Sequence, residues 1–114
     1  MDNSIPILTV LSLTEMASQY NTGITNFPVS LVNDHVIRMS IMTEDFRWHY
    51  HPNSDETFLV LEGTVYIDLE DQTVELGMGQ LFTIPANIRH RTRPKNGRSV
   101  NITFEKADME TVFV

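Results

Sequence analysis

The stretch that decides the reading is Arg47-Trp48-His49-Tyr50-His51-Pro52-Asn53-Ser54-Asp55-Glu56. Successive side chains of a strand point to opposite faces. A strand over 46–51 therefore sets His49 and His51 side by side, with Arg47 next in that row and Trp48 and Tyr50 opposite. Pro52 to Asp55 then turns the chain, and Glu56 opens the returning strand, which brings a carboxylate beside two imidazoles. Farther on, His90 lies between Ile88 and Thr92 on one face of its strand, while Arg89, Arg91 and Arg93 take the other. Three imidazoles and one carboxylate converging inside a small barrel match the ligand sets used for Fe, Mn, Ni, Zn or Cu(II). Burying an ionised carboxylate without compensation costs several kcal/mol, and a bound metal supplies the compensation. His35 follows the Asn33-Asp34 turn with no partner at ligand spacing and stands outside this set.

Working outward, the hydrophobic period is two, broken by turn residues every eight to twelve positions, the pattern of an antiparallel sandwich or barrel. Strands are expected over 29–32, 35–42, 46–51, 56–62, 64–70, 73–76, 81–84, 88–93 and 99–105. Before them, Ile5 to Val10 reads as a short strand. Ser12 and Glu15 have capping-box spacing ahead of one short helix over Met16 to Tyr20. The expectation is a single all-β domain over 1–114: an N-terminal segment over 1–28, a barrel over 29–105 and a tail over 106–114. In the strand over 56–62, Phe58 and Val60 share one face while Leu59 and Leu61 occupy the other, so both sides need cover. A second sheet of the same chain or a partner subunit would provide it, and a homodimer is the expected arrangement.

Composition excludes several function classes. The chain of 114 residues has no cysteine, so disulfides, thiolate nucleophiles, iron–sulfur clusters and cysteine-based zinc sites are ruled out. A net charge of −7 opposes nonspecific binding to nucleic acid or anionic lipid. Charge is uneven, since Arg89 to Arg98 holds five of the eight basic residues and no acid. No 18-residue apolar run and no leader pattern are seen, so cytoplasmic residence is the default expectation.

His49-x-His51, four residues, Glu56, six residues and Gly63 resemble the first motif of the cupin superfamily. Gly79, five residues, Pro85, and His90 five positions after that proline resemble the second. The resemblance implies an antiparallel jelly-roll β-barrel, also called a double-stranded β-helix. It also implies that His49, His51, Glu56 and His90 are the ligands of one divalent transition metal ion, Fe, Mn, Ni or Zn. Thr43, Asn87 and Pro94 depart from the motifs at positions that are not ligands. Asn tolerates the left-handed backbone, so Asn87 is expected to preserve its turn. Cupins include dioxygenases, isomerases, epimerases, decarboxylases and non-catalytic binders, so the resemblance names no reaction.

The same alternation puts Phe58, Val60, Phe82, Ile84, Ile88, Thr92, Val100, Ile102 and Phe104 in or near the barrel, predicting a mostly apolar cavity for a small-molecule ligand. Arg47 reads equally as an anchor for an acid's carboxylate or enolate oxygen and as a rim residue paired with Glu44 or Asp45, and Glu56 is the expected proton carrier beside the metal. The leading expectation is a metal-dependent, dioxygenase-like enzyme acting on a small organic acid or phenolic compound. A non-catalytic binding module is the alternative, and a sugar isomerase or epimerase is a third option. The third would require more Asn, Gln, Lys and Glu facing inward than this alternation predicts.

Overall fold

The computed structural model describes residues 5–114. Helix α1 (Leu13–Ala17) precedes β1 (Ile24–Val32), β2 (His35–Met42), β3 (His49–Tyr50), β4 (Glu56–Glu62), β5 (Val65–Leu69), β6 (Thr73–Leu76), β7 (Leu81–Ile84), β8 (His90–Pro94), β9 (Ser99–Lys106) and β10 (Val112–Phe113). They form two five-stranded antiparallel sheets, ordered β1-β2-β9-β4-β7 and β10-β3-β8-β5-β6. This is the expected jelly roll, and the chain crosses between its two sheets after β2, β3, β4, β6, β7, β8 and β9.

The turn chemistry explains several of the crossings. Gly63 has φ +73°, and a Cβ there would meet the Arg98 carbonyl oxygen at 2.5 Å, so only glycine fits. Asn87 holds φ +72° as expected, and its N–H donates to the His51 carbonyl at 2.9 Å, tying the turn before β8 to a metal-motif histidine.

The sheets enclose one apolar cluster and carry another behind them. Phe58, Val60, Val65, Ile67, Leu76 and Ile84 pack between the sheets. Val29, Met39, Ile41, Val100 and Ile102 lie on the opposite face of the first sheet, where Ala17 of α1 seals them and Leu11, Leu13, Met16, Leu59, Leu61 and Phe104 pack alongside. The second face of β4 thus packs in part against the cluster under the chain's own N-terminal helix, with Leu59 and Leu61 half-buried and Leu81, paired with Leu59, exposed.

This second cluster overturns one expectation. Val100, Ile102 and Phe104 do not face the barrel interior; they face α1. The other row of β9, Ser99, Asn101, Thr103 and Glu105, is buried and points inward. Ile88 is also outside, because the strand starts only at His90 and Ile88 is exposed.

Other boundaries shift for local reasons. Ile5 to Val10 is not a strand: it pairs with nothing described, Ile7, Leu8 and Val10 are exposed, and Leu8 has φ +54°. Ser12 sits at the helix N-cap but makes no side-chain capping bond, and α1 starts and ends earlier than the expected helix. β1 begins at Ile24 rather than 29; Pro28 is accommodated because β1 is an edge strand with a register shift between Pro28 and Ser30. The expected strand over 46–51 is regular only at His49–Tyr50, and the tail over 106–114 contributes β10, which pairs with β3.

Candidate metal centre

Strand pairing assembles the centre. β3 and β8 pair with His49 opposite His90, and β4 delivers Glu56 from the facing sheet after the turn at Pro52 and Asn53. His49, His51, Glu56 and His90 are all buried, and each offers a donor atom within 4.8 Å of the others'. All four residues expected as ligands are therefore brought together. His35 is not: it lies exposed, with Nδ1 2.8 Å from Asp34 Oδ1.

The imidazoles are oriented by backbone carbonyls. Nδ1 of His49 lies 2.6 Å from Arg47 O, Nδ1 of His51 lies 3.0 Å from Glu110 O, and Nδ1 of His90 lies 2.9 Å from Ile88 O. A carbonyl only accepts, so each Nδ1 carries a proton, and in the neutral ring a bare Nε2 is then turned toward the site. Such outer bonds fix tautomer and ring angle for metal ligation.

The inward atoms then lack donors. His51 Nε2 and His90 Nε2 lie 3.1 and 3.4 Å from Glu56 Oε1, yet none of these three atoms has an aligned hydrogen-bond partner among the described residues. Buried polar atoms are almost always satisfied, and leaving lone pairs to face one another is costly. A divalent cation placed among them satisfies all of them. The donor set, three imidazole nitrogens and a carboxylate oxygen, fits a transition metal ion.

The electrostatics differ from one group to the next. Burial pushes His49 down to about 4, keeping it neutral. Burial also works against a charged His51, but the adjacent Glu56 carboxylate outweighs it and the net shift is upward. Glu56 would be raised by its burial, and the imidazoles of His51 and His90 reverse this, holding it at about 2.

The centre opens into a cavity of about 320 Å³ whose wall includes Arg38, Phe46, Thr103, Glu105, Met109, Thr111 and Phe113. A smaller chamber of about 140 Å³ adjoins it, lined by Ile24, Asn26, Ser40, Met42, Phe58, Thr92 and Asn101, with His49 and Glu56 bordering both. The lining is thus more polar than expected, because it takes the polar row of β9. Thr92 is where it was expected. Arg47 is not: it is exposed, does not line either chamber, and its guanidinium stacks on the Phe113 ring at 4.2 Å. Its stretch is not strand, so alternation carried back from His49 does not hold. Arg38 of β2 supplies the cavity's guanidinium instead, and its Nε donates to Asn26 Oδ1.

Glu105 is the residue that sequence reasoning missed most plainly. Thr57 pairs with Phe104, so the next step of that register sets Glu105 beside Glu56. It is 2% exposed, and its Oε1 has no partner among the described residues. Burial and then the Glu56 charge push its carboxyl up to about 7. The polar alternation Ser99, Asn101, Thr103, Glu105 was the available signal. On the outer face of the second sheet, Arg91 and Arg93 pair with Asp68, while Arg91 and Arg89 lie over the rings of Trp48 and Tyr50.

Comparison with known proteins agrees with fold and site. Residues 37–100 match the model of the cupin domain family, more than half of the chain. The chain belongs to the cupin family. It is 39% identical over 104 residues to the uncharacterised protein YdbB of Bacillus subtilis, covering 90% of this chain and 91% of that one. A cupin-2 domain-containing protein of Shewanella frigidimarina superposes with a TM-score of 0.79 at 27% identity, covering 85% of this chain and 94% of that one. A polyketide synthase named CurC, from Streptomyces cyaneus, is 38% identical over 56 residues, which span 49% of this chain and only 36% of that protein. Among the described residues, no helix is long and apolar enough to cross a membrane.

Proposed function

We propose that the protein is a metal-dependent enzyme acting on a small, oxygen-rich organic acid. The observation that carries this is the cluster of unpartnered His51 Nε2, His90 Nε2 and Glu56 Oε1, of which His51 and Glu56 line an open cavity. A bound divalent ion would supply Lewis acidity, polarising a substrate oxygen. His49, His51, Glu56 and His90 would hold it, their rings locked by the Arg47, Glu110 and Ile88 carbonyls. Arg38 would bring positive charge to an anionic substrate, and Glu105, beside Glu56, would be within reach to accept or return a proton.

The polar wall moves the favoured reaction. An apolar cavity counted against a sugar site, whereas Asn26, Arg38, Ser40, Asn101, Thr103 and Glu105 line the observed one. Inward Asn and Glu were the stated requirement of the isomerase-like option, so proton-transfer chemistry on a hydroxy or keto acid is the better-supported reading. The test is metal-loaded protein with a set of small hydroxy, keto and phenolic acids. Proton NMR in D2O is run alongside an oxygen electrode. Metal-dependent deuterium exchange or isomerisation without oxygen uptake is the expected result. Oxygen uptake with a phenolic acid would restore the dioxygenase reading, and binding without any turnover would make the protein a non-catalytic module.

A further inference from the structure

Resting on the reading of the centre as a metal site for a small acid, we propose that the two adjoining spaces beside it together recognise a polyhydroxylated carboxylic acid of the sugar-acid class, through the inward rows of β1, β2 and β9. The rows are continuous. On the inner face Asn26 pairs with Ser40 and Ser40 with Asn101, while Arg38 pairs with Thr103. Five adjacent polar positions on three neighbouring strands therefore face the cavity, although the same strands present Met39, Ile41, Val100 and Ile102 to the core behind.

Two of the inward side chains are incomplete in a way that specifies their ligand. Asn101 is 1% and Glu105 is 2% exposed, and neither Asn101 Oδ1 nor Glu105 Oε1 has a hydrogen-bond partner among the described residues. Each leaves an accepting oxygen unmet in a residue that lines the cavity walls, and an unmet buried acceptor is costly. A ligand carrying O–H donors removes that cost, and a hydrocarbon or plain aromatic ring leaves it in place. Sites built to bond a hydroxyl reject analogues that lack it far more strongly than apolar pockets reject an extra methylene.

The spacing sets the size. Asn101 and Glu105 are four residues apart, about 13 Å along the strand, with Thr103 between them bordering both chambers. Their side chains close part of that distance, so one ligand that reaches both is a chain of roughly six carbons rather than three. Arg38, across the ladder from Thr103, gives the ligand's carboxylate a cation besides the metal. Phe46 and Phe58 offer flat apolar faces to the C–H side of such a chain.

The test measures calorimetric affinity of the metal-loaded, full-length protein for D-gluconate, D-glucuronate, lactate and hexanoate, with metal content read in parallel. Lactate has the same α-hydroxy acid group as gluconate for chelation, and hexanoate has the length without the hydroxyls. The expected result is that a sugar acid binds at least tenfold more tightly than lactate and hexanoate. Asn101→Leu and Glu105→Leu should each reduce that preference to threefold or less with metal content unchanged, and Glu105→Gln, which keeps an accepting oxygen, should retain it. Equal affinity for hexanoate or lactate, no measurable binding of either sugar acid, or leucine variants that keep the preference would overturn the proposal. In those cases a normal metal content leaves the metal-centre reading standing. Protein that takes up no metal would defeat that reading instead.

Discussion

Asp68 and Glu56 are both buried carboxylates, yet their surroundings are opposite in kind. Asp68 lies on the outer face of the second sheet and accepts from Arg91 Nε, Arg93 Nε and Nη2, and Thr73 Oγ1, at 2.7 to 3.0 Å. Every contact brings a proton, so the charge is met within the chain. Glu56 lies on the inner face, where its Oε1 meets two nitrogens whose rings are held with their protons pointing away. Burial against donors makes a structural ion pair, whereas burial against acceptors creates a place for a cation.

The contrast can be broken most severely at the inner face. His90→Ala should lower metal affinity at least ~100-fold, since a direct ligand outweighs the ~10–100-fold typical of outer contacts. Circular dichroism should show the β fold retained. Metal titration of the purified variant checks this, and unchanged affinity would remove Glu56 from the comparison.

A smaller effect is expected from truncation after Ala107. The tail carries Glu110 O, which orients His51, and β10, which pairs with β3 at Tyr50 and His49. Its loss should weaken metal binding about 10–100-fold, measured by competition with a chelator. An intact affinity would mean that the tail is packing alone.

Asp68→Ala should do the reverse. It should lower unfolding stability by about 2 kcal/mol in urea titration, because Arg91 and Arg93 are partly exposed and can return to water, while leaving metal affinity unchanged. Acid should separate the two centres again. The arginines hold the Asp68 carboxyl well below the usual carboxylate range. Its contribution is therefore full above the unfolded value near 4 and declines as pH falls below it. At the metal centre, protons compete with the ion for the imidazole nitrogens. Metal release should begin as pH falls through about 6.5, well before the fold weakens. Simultaneous metal loss and unfolding would erase the distinction.

The smallest effect belongs to Arg47. Its guanidinium lies over Phe113 outside the cavity, so Arg47→Ala should change substrate affinity less than about threefold, whereas Arg38→Met should reduce it at least ~10-fold, as expected for a charge-assisted contact. Equal losses would return Arg47 to the site.

Much of this was legible in the chain. Strands β2, β4, β6 and β7 lie where period-two alternation put them, because each buries at least one clear row and ends at a strong turn. His49, His51 and Glu56 were legible because one short turn joins their strands, and His90 because its spacing from Gly79 and Pro85 resembles the second cupin motif. The cavity wall was misread for a definite reason. Alternation says which residues of β9 share a face, but it does not say which face is the interior. The apolar row Val100, Ile102 and Phe104 was assigned inward, but its core lies under α1. That choice is made by a five-residue helix far away in sequence. β10 escaped for a related reason: two residues have no readable period, and only the partner strand defines them. Arg47 was misplaced because alternation was extended through a stretch that is not strand.

The most direct test of the central claim is elemental analysis of protein prepared without a histidine tag, before and after chelation and reloading with Fe(II), Mn(II), Ni(II) or Zn(II). The account predicts about one tightly held divalent ion per chain for the wild type and background levels for His49→Ala and His90→Ala. Failure of the wild type to hold any of these ions at neutral pH, or near-stoichiometric metal in both variants, would contradict it.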